Sequence, residues 1–381
     1  MSEGLAEAPP VGASWRDRFR AFRDRMVADP RFRAWAARFP LTRPLARRRA
    51  RALFDLNAGF VYSQILAACV RLRVFDALRE GPRSIAWLAA RLSLSTDATL
   101  RLMEAAAALD LVERRAEGRF GLGALGAALV DNAGVAAMVE HHALFYADLA
   151  DPVALLRAPR GGTQLARYWA YAGNDGAAAL PGEAVGDYSA LMAASQPMIA
   201  AEVLGAYDLS RHRCLLDVGG GEGAFLIAAG QSAPQLRLML FDLPAVAARA
   251  AERLAAAGLA ARATTHGGSF HDDPLPTGAD IASLVRVVHD HDDAEALGIL
   301  RRVHAALPPG GRLLLAEPMS GTPGAEPIGE AYFGFYLLAM GRGRPRRMDE
   351  LQAMLRAAGF RRSHPVRTRT PMLTSLLVAD A

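Results

Sequence analysis

The carboxyl-terminal half of the chain predicts a doubly wound α/β domain, and the residues before it predict a smaller, mostly α-helical winged-helix region. Three observations carry this reading. First, the apolar run Cys214-Leu215-Leu216 rises to Asp217-Val218 and breaks into Gly219, Gly220, Gly221 and Gly223, with an amphipathic helix from Ala224 to Ala233 directly after. That is strand, tight turn and helix, which places a ligand at the carboxyl end of the strand. Second, strand-like and helix-like stretches alternate from there to the C-terminus, as a parallel sheet requires. Third, two Ser-led helices followed by a short hairpin lie upstream.

At 381 residues the chain is long enough for two substantial cores, and 52% apolar residues make it globular. Its two cysteines, Cys69 and Cys214, have no metal or redox spacing, which fits a reducing cytoplasm. No secretory pattern opens the sequence, and no apolar run approaches 18 uninterrupted residues, so no membrane-crossing helix is expected. All 44 basic residues are arginine. Residues 1–51 carry 13 of them against 5 acidic residues, a local charge of +8, while the whole chain is only +5. The basic character therefore belongs to an N-terminal arm.

That arm interleaves arginine with Trp15, Phe19, Phe22, Met26, Phe32, Trp35 and Phe39 at helical spacing, divided by Pro30, Pro40 and Pro44. Such a pattern suits an anionic membrane surface, or packing on the body of the protein or a partner subunit; nucleic acid is a third option. Phe54 to Leu78 predicts one long helix. Ser84 to Leu92 and Ser95 to Leu109 predict two capped helices, and Leu111 to Leu122 a hairpin turning at Glu117-Gly118. A winged helix raises DNA binding. The second helix, however, offers Thr96, Asp97, Thr99, Arg101 and Glu104, too little positive charge for phosphates. A dimerisation role fits better.

Ala133 to Ala150 predicts an apolar helix bearing His141 and His142, which are structural or line a pocket with Trp169, Tyr171 and Tyr188. Gly161 to Gly186 reads as a loop, and Tyr188 to Leu204 as a helix bringing Met192, Ser195 and Gln196 toward the glycine turn. Leu238 to Phe241 is a second strand ending in Asp242. A helix from Pro244 to Ala257 follows, then a third strand over Ala261 to Thr265 leading into Gly267-Gly268-Ser269-Phe270. Ile281 to Val288 predicts the fourth strand, ending at His289, with Asp292 capping a helix from Ala294 to Leu307. Arg312 to Ala316 predicts the fifth, ending at Glu317. Met348 to Ala358 is a helix, and Val366 to Thr370 and Leu373 to Val378 are closing strands.

Gly219, Gly221 and Ala224 fit a dinucleotide fingerprint only loosely, and Asp242 stands where either a dinucleotide or another nucleoside would present its ribose. Asp217, before the glycines, could hold an amino-acid ammonium group. His289 and Glu317 end neighbouring strands in one crevice. A histidine there suits a general base that deprotonates a hydroxyl, with the carboxylate orienting the imidazole. His289-Asp290-His291-Asp292-Asp293 could also suggest a metal site, but alternating directions along a strand prevent the five from converging. His291 reads as a surface or loop residue, and no metal is expected.

The motifs L-L-D-V-G-G-G-E-G, F-D-L-P, R-V-V-H-D-H-D-D, L-P-P-G-G and L-L-L-A-E-P together resemble those of S-adenosylmethionine-dependent O-methyltransferases that join a winged-helix dimerisation domain to a Rossmann-like catalytic domain. The resemblance implies His289 as catalytic base flanked by Glu317. It places the cofactor against Asp217, Gly219, Gly221, Asp242, Gly268, Ser269, Phe270 and Arg286. It also implies a homodimer, with the arm at 1–51, the dimerisation and substrate-lining domain at 52–187 and the methyltransferase domain at 188–381. Two departures stand out. Ser269 replaces an aspartate common at the adenine, and Pro345 lies where a second glutamate often brackets the histidine. Within the family, R-V-V-H-D-H-D-D, G-R-G-R-P-R and the basic extension are similar to the bacterial O-methyltransferases of acyclic hydroxycarotenoids (hydroxyneurosporene and demethylspheroidene type). Their acceptor is a tertiary hydroxyl on a polyene. A phenol or aromatic polyketide is the alternative acceptor. A lipid-dissolved substrate would suit a cytoplasmic enzyme touching the inner or photosynthetic membrane through its arm.

Overall fold

The computed structural model describes residues 14–157, 161–168 and 196–381. Three helices open it: α1 (Trp15–Ala28), α2 (Pro30–Arg38) and α3 (Arg43–Arg71). Pro30 and Pro44 sit in the first turns of α2 and α3, where a missing N–H costs nothing, so the prolines punctuate rather than break. The single helix expected over Phe54 to Leu78 is instead the second half of α3 plus the short α4 (Val74–Leu78). The break is at Arg73, whose φ of +56° is left-handed and cannot continue a right-handed helix. With its upstream extension, α3 is long and apolar enough to cross a membrane by length and composition, contrary to expectation. Its C-terminal end instead buries Ala67, Cys69 and Val70 in a globular core.

That core is the winged helix. Helices α5 (Ile85–Leu92) and α6 (Thr96–Ala108) begin as expected at serine caps: Ser84 Oγ accepts from Trp87 N at 3.3 Å and Ser95 Oγ from Ala98 N at 3.1 Å. Strands β1 (Val112–Arg114) and β2 (Phe120–Leu122) pair antiparallel around Glu117 and Gly118. Leu78, Leu88, Met103, Val112 and Phe120 fill the space between them.

A short α7 (Ala124–Ala127) leads to α8 (Ala133–Asp148), α9 (Pro152–Arg157) and α10 (Gln164–Tyr168). Part of the stretch expected as loop is thus helical. Trp169, Tyr171, Tyr188, Met192 and Ser195 fall outside the described residues, whereas residues 196–206 are helical as expected.

The carboxyl-terminal sheet has the order β5-β4-β3-β6-β7-β9-β8. Strands β3 (Cys214–Val218), β4 (Arg237–Asp242), β5 (Ala263–Gly267), β6 (Ile281–Val285) and β7 (Arg312–Glu317) are parallel; β9 (Ser375–Asp380) runs antiparallel between β7 and β8 (Arg362–Val366). Strand order reverses between β3 and β6, so the carboxyl ends of these two strands open the crevice that such sheets use for ligands. Every residue of β3 and β6 is buried, because helices cover both sheet faces.

Several boundaries differ from expectation, among them that of β9, which spans Ser375–Asp380 rather than 373–378. β5 starts at Ala263, after a turn of 3₁₀ helix over Ala260–Arg262. β8 spans 362–366 rather than 366–370; its alternation is mostly exposed, as an edge strand permits, so hydrophobic pattern could not fix its register. β6 ends at Val285, not at Val288. Arg286 takes a left-handed φ of +58° and the chain turns into a 3₁₀ helix over Val288–Asp290. The residues expected at a strand end therefore stand on a turn.

Candidate active site

The glycine turn comes first. Gly219, Gly221 and Gly223 all have positive φ, from +57° to +80°. A Cβ on Gly219 would lie 2.9 Å from Val287 Cγ2, while one on Gly221 would meet nothing within 4 Å, so the turn is tight behind and open in front. Two carboxylates hold its shape. Asp242 Oδ2 accepts from Gly221 N at 2.8 Å and its Oδ1 from Leu243 N at 2.7 Å. Asp217 is 1% exposed, with Oδ1 accepting from Ser283 Oγ at 2.6 Å. The Cβ of any residue at Gly220 would press to 2.5 Å from its Oδ2. Asp217, expected as the ammonium contact, lies beneath the turn with Gly220 over its Oδ2, which has no hydrogen-bond partner among the described residues. Burial pushes its carboxyl up to about 7, and burial pushes Asp242 to about 6.

The expected adenine segment lies beside this turn. Gly268 N donates to Asp242 O at 2.9 Å, and a Cβ on Gly268 would strike Phe241 Cζ at 2.8 Å. Ser269 Oγ accepts from His271 N at 3.2 Å, and Asp273 Oδ2 accepts from Ser269 N at 2.8 Å. The Ser269 hydroxyl thus shapes its own turn. Phe270 Cε1 lies 3.6 Å from where a Cβ on Gly219 would be, which brings its ring to the edge of the glycine turn.

His289, only 5% exposed, stands across the crevice on its 3₁₀ turn. Nδ1 is hydrogen-bonded to Glu317 Oε2, and Glu317 Oε1 accepts from Val287 N at 3.1 Å and Val288 N at 2.7 Å. Glu317, at the end of β7, therefore fixes both the ring and the backbone that carries it. With Oε1 accepting from two N–H groups, Glu317 Oε2 is placed to accept from Nδ1–H, the tautomer that leaves Nε2 as the basic nitrogen.

Sequence reasoning left Glu317 as the sole orienting acid. The structure adds Asp290, whose Oδ1 lies 3.1 Å from Nε2. Burial by itself lowers the His289 pKa, but Asp290 and Glu317 outweigh it and the net shift is upward; the charge of Arg286 opposes them. Pro345, the apparent gap, belongs to a strap across the turn. Arg346 is 2% exposed and donates to Val288 O at 2.8 Å and His291 O at 2.7 Å, while Arg344 N donates to His289 O at 3.0 Å. Asp292, expected as a helix cap, makes no side-chain cap bond to the helix Asp293–Ala306 and accepts from Gly343 N at 3.1 Å.

His291 is buried rather than a surface residue, its pKa lowered to about 3 by burial and then by neighbouring His271 and Arg342. Among the described residues, no group of three or more His, Cys, Asp or Glu side chains is arranged to hold a metal ion.

One wall of the crevice carried no sequence signal. Residues Pro327–Phe333 form a π-helical turn running into the helix Gly334–Met340. The turn places Phe333 with its ring centroid 5.9 Å from that of His289. Tyr332 and Tyr336 follow, and their hydroxyls meet His142 Nε2 at 2.6 Å and His141 Nε2 at 2.7 Å. Burial lowers the pKa of both histidines, that of His141 to about 4, so they are neutral partners. Phe145, Leu155 and Leu165 pack against Tyr336, Leu337 and Met340 and join the helical half to the sheet domain. The only clue was a pair of adjacent tyrosine-containing dipeptides in a segment without clear periodicity.

The comparisons with known proteins agree with this architecture. Residues 146–361 match the model of the O-methyltransferase domain, and residues 54–132 match that of the O-methyltransferase dimerisation domain. The demethylspheroidene O-methyltransferase of Cereibacter sphaeroides is 48% identical over 88% of this chain and 88% of its own length. That of Rhodobacter capsulatus is 42% identical over 94% and 89%. Human N-acetylserotonin methyltransferase, solved in complex with SAM, superposes with a TM-score of 0.71 at 25% identity, over 87% of this chain and 97% of its own. A glycine turn at the sheet's switch point, a carboxylate-bound histidine following the neighbouring strand and these matches over most of the chain make it a member of the S-adenosylmethionine-dependent O-methyltransferase family.

Proposed function

We propose that the protein transfers a methyl group from S-adenosylmethionine to the tertiary hydroxyl of an acyclic hydroxycarotenoid, with His289 as general base. The reading rests on one observation: an imidazole fixed at Nδ1 by Glu317 follows two residues after Val287, whose side chain packs against the glycine turn. The acceptor class rests on the two demethylspheroidene O-methyltransferases, which match this chain over most of its length.

The residues present fit the cofactor. Gly219 and Gly221 leave room for close approach, Asp242 has lone pairs left for ribose hydroxyls after its two backbone bonds, and Phe270 offers a ring face beside them. Arg286 lies close enough for its charge to act on His289, Asp290 and Tyr332. When bound, the cofactor would supply an electrophilic methyl on a sulfonium, with neutral S-adenosylhomocysteine as the leaving group that keeps the electron pair of the broken carbon–sulfur bond. The acceptor hydroxyl enters beside Nε2, displaces Asp290 from it and gives its proton to that nitrogen as its oxygen attacks. A tertiary alcohol is a weak acid, so the base is needed more than it would be for a phenol. Glu317 and Asp290 then stabilise the imidazolium. The rest of the rate comes from alignment, which the buried, strapped turn supplies.

By the match at residues 54–132, two copies pair through the helical region. An acceptor dissolved in lipid would favour a cytoplasmic enzyme working at the surface of the inner or photosynthetic membrane. The test offers labelled S-adenosylmethionine with lipid-dispersed 1-hydroxy acyclic carotenoids and, in parallel, a panel of phenols. Label in the carotenoid, lost with His289→Ala while cofactor binding persists, supports the reaction, acceptor and base. Label confined to phenols rejects the carotenoid acceptor, and undiminished label in His289→Ala rejects the base.

A further inference from the structure

We infer that α1, with the arginine-rich depression on α2, is a docking surface for an anionic lipid bilayer. The inference takes its purpose from the carotenoid reading above but is tested without it. At about 100° per residue, Trp15, Phe19, Phe22 and Met26 fall within an arc of about 60° on α1. Arg16 and Arg23 flank that arc on one side and Arg18 and Arg25 on the other, while Asp17 and Asp24 lie opposite it. An apolar stripe edged by cations with anions turned away is the arrangement of a helix lying in a lipid interface.

Among the described residues little covers the stripe, only Met26 at its end being half-buried. α1 has no buried residue, and Trp15, Phe19 and Phe22 are 73%, 62% and 54% exposed. The helix is nonetheless anchored at its end, where Arg33 Nη1 donates to Val27 O and Ala28 O at 3.2 and 2.9 Å, and α2 packs on α3 through buried Ala36. Next to it, Arg31, Arg38, Trp35 and Phe39 line a surface cavity of about 570 Å³, with Trp35 and Phe39 stacked at 5.0 Å. Paired guanidinium groups beside an indole suit a lipid phosphate at the headgroup level.

Charge selects the occupant. Residues 14–51 hold 13 arginines against three aspartates, so two such arms repel each other, whereas an anionic surface attracts both. The dimerisation model begins at residue 54, downstream of the arm. Human N-acetylserotonin methyltransferase is matched over 97% of its own length yet leaves 13% of this chain unmatched. The Rhodobacter capsulatus relative leaves at most about 23 residues unmatched, so its alignment reaches into the arm.

The experiment is co-sedimentation of the full-length protein with vesicles of phosphatidylcholine alone or with about a third phosphatidylglycerol. The wild type is compared with a Phe19→Ser/Phe22→Ser variant and an Arg16→Gln/Arg18→Gln/Arg23→Gln variant. All positions are exposed, so circular dichroism and the dimer mass are expected to be unchanged. The expected result is binding to the anionic vesicles that weakens at least tenfold in each variant and with added salt, and little binding to phosphatidylcholine. Equal binding to both vesicle types, variants that bind as the wild type does, or variants that dissociate the dimer each overturn the inference, the last by showing that a second copy covers the stripe.

Discussion

The crevice and the arm treat charge and apolar surface in opposite ways. Around His289 each charged group meets a neighbour of the same chain: Glu317 clasps the ring and two backbone N–H groups, Asp290 faces Nε2, and Arg346 holds the carbonyls of Val288 and His291. On α1 the aromatic residues Trp15, Phe19 and Phe22 are exposed, and the ion pairs Arg20–Asp17 and Arg23–Asp24 are solvent-exposed contacts. Buried charge is tolerable only when it is paired, so the crevice is a rigid, internally paired arrangement, which suits the proton transfer proposed for it. Exposed apolar surface costs the chain little by itself, so the arm is free to serve something outside it.

If the crevice works as a unit, its largest response comes from Glu317→Gln. The amide oxygen can still accept from Val287 and Val288, so the fold is expected to persist. It cannot stabilise an imidazolium or enforce the Nδ1–H tautomer, and turnover is expected to fall by about 10²–10⁴. The pH profile carries the more specific signature. The base must be neutral, and the net His289 pKa is raised, so in the wild type kcat/KM climbs as pH rises through a value above the ordinary one for histidine. Removing one of the two carboxylates that raise it moves this acidic limb to lower pH. Profiles of kcat/KM from pH 5 to 9 decide it: a limb that stays in place, or a loss under about fivefold, would separate Glu317 from the base.

The next effect is geometric. Gly219→Ala introduces a Cβ 2.9 Å from Val287 Cγ2 at a φ of +67°. Strain and overpacking together are expected to cost about 1–3 kcal/mol of stability. Because Val287 leads into the His289 turn, the same shift moves the cofactor side and the base apart. A rise in the cofactor dissociation constant of about tenfold or more, read by calorimetry, is expected. Unchanged affinity would mean that the turn does not touch the cofactor. Gly221→Ala meets no atom within 4 Å and separates the effect of strained φ from that of contact.

These residues also show how far the sequence was legible. The glycine turn, Asp242, His289 and Glu317 could be placed because strand–turn–helix alternation puts strand ends in one crevice whatever the tertiary detail. Asp290 was hidden by the assumption that β6 runs to Val288. On a strand it would point away from His289, whereas the left-handed Arg286 and the 3₁₀ turn bring it to Nε2. Tyr332 and Phe333 were illegible because a π-helical turn leaves no period of 3.6 or 2 to recognise. The position of Asp217 was legible, whereas the roof that Gly220 makes over its Oδ2 is a tertiary fact. The arm was the reverse case: its stripe and charge were plain, while its exposure required knowing that α2, and not α1, is the helix that packs on α3.

The smallest expected effect tests the contrast from the arm's side. Phe22→Ser removes an aromatic side chain that is 54% exposed and packs in no core, so its stability change in detergent-free buffer should stay within about 0.5 kcal/mol. Phe225, 1% exposed in the core behind the glycine turn, supplies the control: Phe225→Ala is expected to cost about 3–5 kcal/mol through lost burial and the cavity left behind. Urea titration of the two variants against the wild type measures both. If Phe22→Ser instead lowers the midpoint by a comparable amount, the side chain is buried in solution, by the partner subunit or by the arm folding back. The division between a self-satisfied crevice and an outward-facing arm would then fail at its second half while the catalytic half stood.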